Sequence, residues 1–205
     1  GNKAAETEAT GAAPAEAKPV TDMTQKTDTT NAKVEIETTM GNFTVLLYGD
    51  TPRHRDNFLR LVREGYYDGT LFHRVISGFM IQGGCPDGTG MGGPGYCIKG
   101  EFAANGVQND LRHTRGVLSM ARAQPMDSAG SQFFIMHKDA PHLDGQYAAF
   151  GCVMDGMDVV DRIANQPRNM MTNKPKKDQV MVKVTVDTQG VEYPEPDKLA
   201  DPFGR

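Results

Sequence analysis

Hydrophobic and polar residues alternate in several short segments of this chain, the pattern expected of β-strands with one buried face. Residues 34–37 read Val-Glu-Ile-Glu, and the alternation resumes over 43–47. The Gly41-Asn42 pair between these segments predicts a β-hairpin with its turn at that pair. Six later segments also have strand character and are bounded by turn-forming residues: LFHRVI, FMIQ, GVLSMA, SQFFIMH, YAAFGCVM and VMVKVTV.

Two segments have helical spacing instead. The segment 52–64 follows Thr51, a suitable N-cap, begins with proline and is ended by Gly65. The segment 156–165 has apolar residues every three positions and is closed by Pro167. Many short strands with only two helices predict an all-β fold, either a barrel or a sandwich.

The two ends of the chain differ in composition from its middle. Residues 1–32 are rich in Ala and Thr, and Val20 and Met23 are their only larger apolar side chains, which is too little apolar surface to offset the entropy of ordering. We predict a disordered tether over 1–32, a globular domain over 33–190 and a proline-rich tail over 191–205, either lying on the domain or loose from it. Such a tether suits a bacterial periplasmic or cell-envelope protein with a lipid anchor upstream; a cytoplasmic protein is the alternative.

Charge and hydropathy exclude several classes of partner. The formal net charge is −4, the pI is about 5.7, and the most basic stretch is KPKK at 174–177, so the basic surface of a nucleic-acid-binding protein is missing. No apolar run approaches the roughly 18 residues of a membrane-spanning helix. We expect a monomer that binds no nucleic acid and has no membrane-spanning segment.

The glycine-rich stretch GGCPDGTGMGGPG contains a G-x-G-x-x-G pattern at Gly88, Gly90 and Gly93. A dinucleotide site requires a helix to begin there and present its N-terminus to phosphate, but Pro94 and a further glycine follow. The stretch is more typical of a tightly turned loop beside a binding groove.

Metal and hydrolase chemistry find little support. Four histidines lack the spacing of a metal site and are interpreted as core or surface residues: His73, His113, His137 and His142. No serine lies in a G-x-S-x-G motif. We therefore predict no metal site.

The chain has three cysteines, Cys85, Cys97 and Cys152. Cys85 and Cys97 bracket the glycine-rich stretch, so a disulfide between them would staple that loop. Three reduced, small apolar side chains are the alternative. We expect the bridge in an exported protein and free thiols in a cytoplasmic one.

Four segments occur in a characteristic order: FHRVISGFMIQGG (72–84), GVLSMARA (116–123), SQFFI (131–135) and LDGQYAAFG (143–151). Together they resemble the signature segments of the cyclophilin family of peptidyl-prolyl cis–trans isomerases. The resemblance implies a closed eight-stranded antiparallel β-barrel capped by two α-helices, with the active groove on its outer surface. It also implies an isomerase that assists protein folding, needs no cofactor and acts on proline-containing peptides and unfolded proteins.

The same resemblance assigns roles by position. The catalytic arginine falls on Arg74, with Gln82 and Phe79 beside it. Four apolar residues are expected to hold the proline ring: Phe79, Met80, Phe134 and Leu143. Three residues are expected where the family binds the residues preceding proline: Ala121, Arg122 and Gln132.

Three positions depart from the usual family pattern. His142 stands where many members have tryptophan, Tyr147 where many have histidine, and Arg122 where asparagine is usual. The catalytic set is complete, but the rim of the expected pocket is altered.

These residue types suit a reaction in which no bond is made or cut. Rotation about an X–Pro bond must overcome a barrier of roughly 20 kcal/mol, because it breaks amide resonance. Arg74 cannot act as a base, but it can donate hydrogen bonds to a twisted amide. Gln82 would hydrogen-bond either the substrate backbone or Arg74 itself. A proline-peptide binding module and an assembly component attached through the tether are the alternative functions.

Overall fold

The structure, a computed structural model, describes residues 30–205. Nine strands form one sheet: β1 (Ala32–Thr38), β2 (Gly41–Leu47), β3 (Thr70–Leu71), β4 (Arg74–Ile76), β5 (Met80–Gly83), β6 (Val117–Met120), β7 (Phe133–Met136), β8 (Ala149–Asp155) and β9 (Val180–Asp187). The two α-helices are α1 (Pro52–Arg63) and α2 (Met157–Ala164), and two short 3₁₀ helices span Ala103–Asn105 and Pro141–Leu143. The predicted all-β fold with two helices is confirmed.

The sheet curls into a half-barrel through a strand that changes partner. Its order is β3-β9-β1-β2-β8-β6-β7-β5-β4, and the named pairs are antiparallel. The segment predicted as one strand, LFHRVI, is interrupted at Phe72-His73: β3 pairs with β9, whereas β4 pairs with β5. Across the gap between the ends of the sheet, an isolated bridge joins Leu71 of β3 to Cys85, two residues after β5, so the sheet forms a curled half-barrel and the expected full closure is not reached. The eight-stranded prediction therefore needs correction to nine, because one strand is divided where it turns from one end of the sheet to the other.

The first hairpin places its turn two residues before the predicted one. Thr38 pairs with Gly41, so Thr39 and Met40 form the turn and Gly41 begins β2. The Thr38 hydroxyl donates to Gly41 O (2.6 Å) and accepts from Met40 N (3.0 Å). A hydroxyl that bonds to nearby backbone in this way stabilises a local turn, which explains why the Gly-Asn pair is not needed for it.

Alternation along the strands separates the barrel core from its outer face. The interior contains the fully buried side chains of Val75, Ile81, Leu118 and Ile135, one from each of four successive strands of the sheet. Their neighbours along each strand point outward, because successive side chains of a strand lie on opposite faces. The helices add apolar residues to the same core, Phe58 of α1 among them.

The helix boundaries agree with the sequence prediction to within about one residue. Thr51 is the N-cap of α1, but its hydroxyl bonds to Tyr48 O (3.3 Å) and not to the helix. Within residues 30–205, none of the helices has the length and apolar character required to cross a membrane.

The proline-rich tail lies on the domain. Tyr193 is buried, its hydroxyl donates to Asn31 O (3.1 Å), and its ring lies 4.8 Å from the Arg55 guanidinium. Further along, Leu199 and Cys97 form a two-way main-chain bridge with N–O distances of 2.7 and 2.9 Å. Of the predicted tether, residues 30–32 contact the domain and Ala32 belongs to β1; the rest of the tether lies outside the described residues.

Candidate active site

A second apolar cluster lies on the outer face of the barrel. Met80 of β5, Phe134 of β7 and Leu143 of the second 3₁₀ helix are at most 9% exposed. Phe79 packs against them from the turn before β5. The outward positions of adjacent strands thus form an apolar depression, and it contains the four residues expected to hold a proline ring.

Arg74 lies beside this depression and is held by hydrogen bonds through the side-chain amides of two glutamines. It is directly opposite Gln82 in the β4–β5 pair, and its Nη1 donates to Gln82 Oε1 (3.2 Å). Gln82 Nε2 in turn donates to Gln132 Oε1 (3.2 Å). Of the two partners that the sequence left open for Gln82, the structure contains the contact with Arg74.

The glycine-rich segment forms a turned loop at the end of this chain of amides. Gln132 Nε2 donates to Gly90 O (2.9 Å) and Gly92 O (3.0 Å), which fixes the loop against the sheet. Gly90 has φ +89°, and an added Cβ would lie 3.3 Å from His73 Nε2, so a side chain there would be strained and crowded. The loop leads into no helix, in agreement with the rejection of a dinucleotide site.

Of the two arrangements that the sequence left open for Cys85 and Cys97, the structure contains the reduced one: both cysteines, like Cys152, are free thiols. The Cys85 sulfur is committed elsewhere, since it donates to Asp87 Oδ1 (3.0 Å) and accepts from the amides of Gly90 (3.2 Å) and Gly92 (3.3 Å). Hydrogen bonds from the Cys85 thiol and from Thr89 lower the pKa of Asp87 to about 2. A thiol therefore organises the loop without a bridge.

Arg122 occupies a fixed position at the opposite wall. Its guanidinium lies between two aromatic rings, 4.8 Å from that of Phe102 and 4.7 Å from that of Tyr147. Its donors bond to the carbonyls of Ala123 (3.0 Å), Gln124 (3.1 Å) and Gln146 (2.7 Å). The arginine at the usual asparagine position thus braces the wall, and Tyr147 packs edge-on against Phe134 at 5.9 Å.

Ala121 connects this wall to the chain of amides. Its backbone N–H donates to Gln132 O at 3.0 Å. Its side chain is partly buried and packs against the outer apolar cluster. Ala121, Arg122 and Gln132 are therefore brought together along one side of the groove.

His142 lies at the rim. Its ring stacks on that of Phe79, with centroids 6.0 Å apart and an interplanar angle of 29°. The residue is exposed, whereas Phe79 is half-buried. The departure from tryptophan thus changes the edge of the depression and leaves its floor intact.

His113 supports that floor, a role that the sequence did not reveal. Its ring stacks on Phe134 (centroids 6.1 Å apart), and its nitrogens contact Asp144 Oδ1 (3.0 Å) and Ser119 Oγ (2.8 Å). Burial lowers the pKa of His113, and the hydrogen bond that its imidazole donates to Asp144 offsets this only in part. His113 lies three residues before the GVLSMARA segment, but no sequence pattern places its ring against Phe134, 21 residues further along the chain.

The depression continues past Arg74 as one cavity of about 640 Å³. Its far end is lined by His73, Thr172 and Lys174, none of which the sequence singled out as site residues. Burial, then the nearby cations Arg74 and Lys174, lower the pKa of His73, while Asp87 opposes them. The His73 imidazole is therefore neutral at neutral pH, with two cations, Arg74 and Lys174, and one carboxylate, Asp87, nearby.

No group of three or more His, Cys, Asp or Glu side chains in the part of the chain that the structure describes is arranged to hold a metal ion. The groove instead offers one arginine donor, an apolar depression and backbone groups at its edges. Such a set can hold an apolar ring and stabilise developing charge beside it. It contains no nucleophile paired with a base.

The comparisons with known proteins agree with this geometry. Residues 33–186 match the family described as "Cyclophilin type peptidyl-prolyl cis-trans isomerase/CLD". A peptidyl-prolyl cis-trans isomerase of Helicobacter pylori is 48% identical over 135 residues, which cover 64% of this chain and 80% of the relative. Peptidyl-prolyl cis-trans isomerase B of Bacillus subtilis is 51% identical over 109 residues, covering 53% of this chain and 73% of the relative. Other relatives come from plants and fungi.

Solved structures show the same fold. A cyclophilin-type peptidyl-prolyl cis-trans isomerase of Cryptosporidium parvum has a TM-score of 0.70 at 34% identity, over 77% of this chain and 98% of that one. A crystal of the same protein in the presence of the dipeptide Ala-Pro gives a TM-score of 0.69 at 35% identity, over 76% and 98%. This chain therefore belongs to the cyclophilin family and is a peptidyl-prolyl cis–trans isomerase.

Proposed function

We propose that Arg74 is the catalytic residue and that it accelerates rotation about X–Pro bonds by stabilising the twisted amide. The observation that carries this is the position of its guanidinium, held by Gln82 at 3.2 Å beside the apolar depression. Within residues 30–205 no ion pair occupies Arg74, and Asp87, the carboxylate that lines the same cavity, accepts from Cys85 and Thr89 instead, so Arg74 keeps donors available for a substrate.

The reaction requires a hydrogen-bond donor that interacts with the transition state more strongly than with the planar amide. In the planar amide the proline nitrogen shares its lone pair with the carbonyl and accepts no hydrogen bond, whereas at the twisted geometry the lone pair is localised. A guanidinium beside that nitrogen therefore binds the transition state more strongly than either ground state, which is the condition for catalysis. Because arginine stays protonated, no proton transfer takes part.

The apolar depression supplies the second requirement, which is to hold one side of the bond while the other turns. Met80, Phe134 and Leu143 form its floor, and Phe79 its edge. Burial of the pyrrolidine ring there fixes the proline, and the residues preceding it rotate against Ala121 and Gln132. The hydrogen bonds from Arg74 to Gln82 and from Gln82 to Gln132 fix the arginine relative to the side of the groove that contains Gln132.

Substitution of Arg74 tests this proposal. Arg74→Ala should lower kcat/KM for a short X–Pro peptide by about a hundredfold, as expected for removal of one transition-state donor, and should change the Kd of the same peptide by less than about threefold. The kcat/KM of Arg74→Lys should lie between those of the wild type and Arg74→Ala, because lysine keeps the positive charge but lacks the planar guanidinium group. The measurement is cis–trans exchange by NMR together with a peptide titration, and Arg112→Ala, at an exposed arginine that lines neither this cavity nor the smaller one beside it, serves as the control.

Equal losses in kcat/KM and affinity for Arg74→Ala would assign Arg74 to binding alone. That outcome would favour the alternative, a proline-peptide binding module whose catalysis is incidental. The half-buried position of Arg74, next to the depression instead of within it, favours the enzyme.

The physiological setting is a further part of the proposal. A bacterial cell-envelope location, with a lipid anchor upstream of residues 1–32, is supported by the composition of that segment and by the bacterial relatives, whereas the free thiols of Cys85 and Cys97 favour the cytoplasmic alternative. There the protein would act as a monomer and folding helper on unfolded chains with exposed X–Pro bonds. Fractionation of cells that make the natural protein, with labelled fatty acid, tests both location and anchor; unlabelled protein in the cytoplasm would support the cytoplasmic alternative.

A further inference from the structure

A second cavity of about 370 Å³ opens beside the first and shares four residues with it: Gln82, Gly90, Ala121 and Arg122. Its other walls include Met91 and Pro94 of the glycine-rich loop. Because the two cavities are continuous, a peptide whose proline lies in the first can extend a neighbouring side chain into the second.

One wall of this second cavity comes from the end of the chain. Phe203 and Arg205 line it, although the family match stops at residue 186. The cavity therefore has a boundary formed by residues outside the part of the chain that matches the family.

This wall is held in place. The Asp201 carboxylate accepts from Phe203 N (2.9 Å), Arg205 N (2.9 Å) and Arg205 Nε (3.0 Å). Arg205 Nη2 donates to Ser128 O at 3.1 Å, which ties the turn to the barrel side of the cavity. Two residues earlier than Asp201, the main-chain bridge between Leu199 and Cys97 fixes the path of the tail.

The two wall residues have different environments. The Arg205 guanidinium is occupied by Asp201 and Ser128 and lies 5.1 Å from the Phe203 ring. The Phe203 side chain belongs to a residue that is 56% exposed, so one face of the ring is open to a ligand. Arg205 thus acts as a support for the ring, and Phe203 is the group that can touch an occupant.

We infer that Phe203 is a specificity-determining residue that favours an apolar side chain two positions before the proline, and that Arg205 positions it. The assignment rests on the proposed function, in which Ala121 and Gln132 face the residues preceding proline. Both residues border the second cavity as well. Phe203, Met91 and Pro94 give that cavity an apolar surface, and no carboxylate lines it. An apolar occupant is therefore preferred over a basic one.

The test compares peptides Xaa-Ala-Pro with Xaa as Gly, Leu, Phe or Lys, each measured for kcat/KM by NMR exchange on the full chain. The wild type should favour Leu and Phe over Gly by about tenfold, the size expected for apolar pocket contacts. Phe203→Ala should reduce that preference to about twofold or less and leave the Gly peptide within twofold of wild type. Arg205→Ala should reduce it to an intermediate value, whereas Arg205→Lys should restore part of it.

Val182→Ala is the matched control, because Val182 is a 52% exposed apolar residue on β9 that lines neither cavity. An unchanged Leu/Gly ratio in Phe203→Ala would overturn the inference, as would an equal rise in kcat/KM for every peptide, which would mean that the tail obstructs the groove. If the wild type did not accelerate cis–trans exchange in any of the four peptides, that result would instead contradict the proposed function. A circular dichroism melt of each variant separates a local effect from unfolding.

Discussion

His142 is the side chain at which this site differs most from many relatives by the family resemblance. It is exposed and contacts Phe79 only by stacking at 6.0 Å, so it edges the depression without forming its floor. Catalysis, in the mechanism proposed, depends on Arg74 and the floor. Changes at His142 should therefore affect large ligands that cover the rim more than short substrates.

We predict that the macrocyclic family inhibitor cyclosporin binds this protein weakly, because the indole that contacts it in other members is replaced by His142. Loss of an aromatic anchor and its hydrogen bond costs on the order of 2 kcal/mol, or about thirtyfold in affinity. His142→Trp should tighten cyclosporin binding at least several-fold and change kcat/KM for a short peptide by less than twofold. Nanomolar binding by the wild type, measured by calorimetry, would contradict this prediction.

Among elements, the glycine-rich loop depends on a single sulfur. Cys85 is fully buried and contacts three groups of the loop, the Asp87 carboxylate and the amides of Gly90 and Gly92. Gly90 lines both cavities, so its hydrogen bond to the Cys85 sulfur helps to fix the wall that the two cavities share.

Cys85→Ala should therefore loosen the loop. The amides of Gly90 and Gly92 are partly buried, so loss of their hydrogen bonds to the sulfur should cost about 0.5–1.5 kcal/mol each in the free energy of unfolding and should speed hydrogen exchange at both glycines. KM for peptides should rise by more than kcat falls. Cys152→Ala, which removes a partly buried thiol on β8, is the control; unchanged exchange at the two glycines in Cys85→Ala would rule out the anchoring role.

Sequence patterns predicted the elements that depend on residues close together in the chain, and failed where an element depends on a distant partner. Period-two alternation identified the strands, and the spacing of Phe58, Leu61 and Val62 identified α1, because these patterns reflect burial of neighbouring residues. The division of the strand at Phe72-His73 was not predictable, since it is caused by a change of partner between β9 and β5. The roles of His113 and Lys174 were missed for the same reason: only the folded sheet places His113 beneath Phe134 and Lys174 at the groove.

For the molecule as a whole, stability should depend on where the N-terminal boundary of the domain lies. Asn31 accepts from Gly49 N (2.8 Å) and from the Tyr193 hydroxyl (3.1 Å), and Thr30 O accepts from Arg55 (2.8 Å). Removal of residues 1–29 should leave the Tm and the activity unchanged. Removal of 1–32 should lower the Tm by several degrees, because each lost hydrogen bond is worth about 1 kcal/mol and each kcal/mol shifts the Tm by about 2–4 °C.

Thermal melts of the two truncated chains, matched except for three residues, give the comparison. A large loss of stability on removal of 1–29 would mean that the tether contributes to the domain. Equal stability of both truncations would mean that the contacts of residues 30–32 contribute little.

Global stability should also depend on pH through two histidines. Burial lowers the folded-state pKa of both His73 and His113 below the ordinary value of 6.5. The unfolded chain therefore binds protons more readily, so the stabilisation is complete above about pH 6.5 and is lost as the pH falls through the folded pKa values. Urea unfolding at several pH values between 8 and 5 should show this decline, and NMR titration of either imidazole at or above 6.5 would contradict it.

The pairing of β1 with β9 has a consequence for synthesis on the ribosome. Val34 lies opposite Val186, and β9 is inserted between β1 and β3 in the sheet. Until β9 is translated, a nascent chain exposes two unpaired strand edges, which are prone to associate with other chains. Contacts between residues so far apart also make closure slow. The isomerase therefore completes its own sheet only after residues 180–187 have been translated.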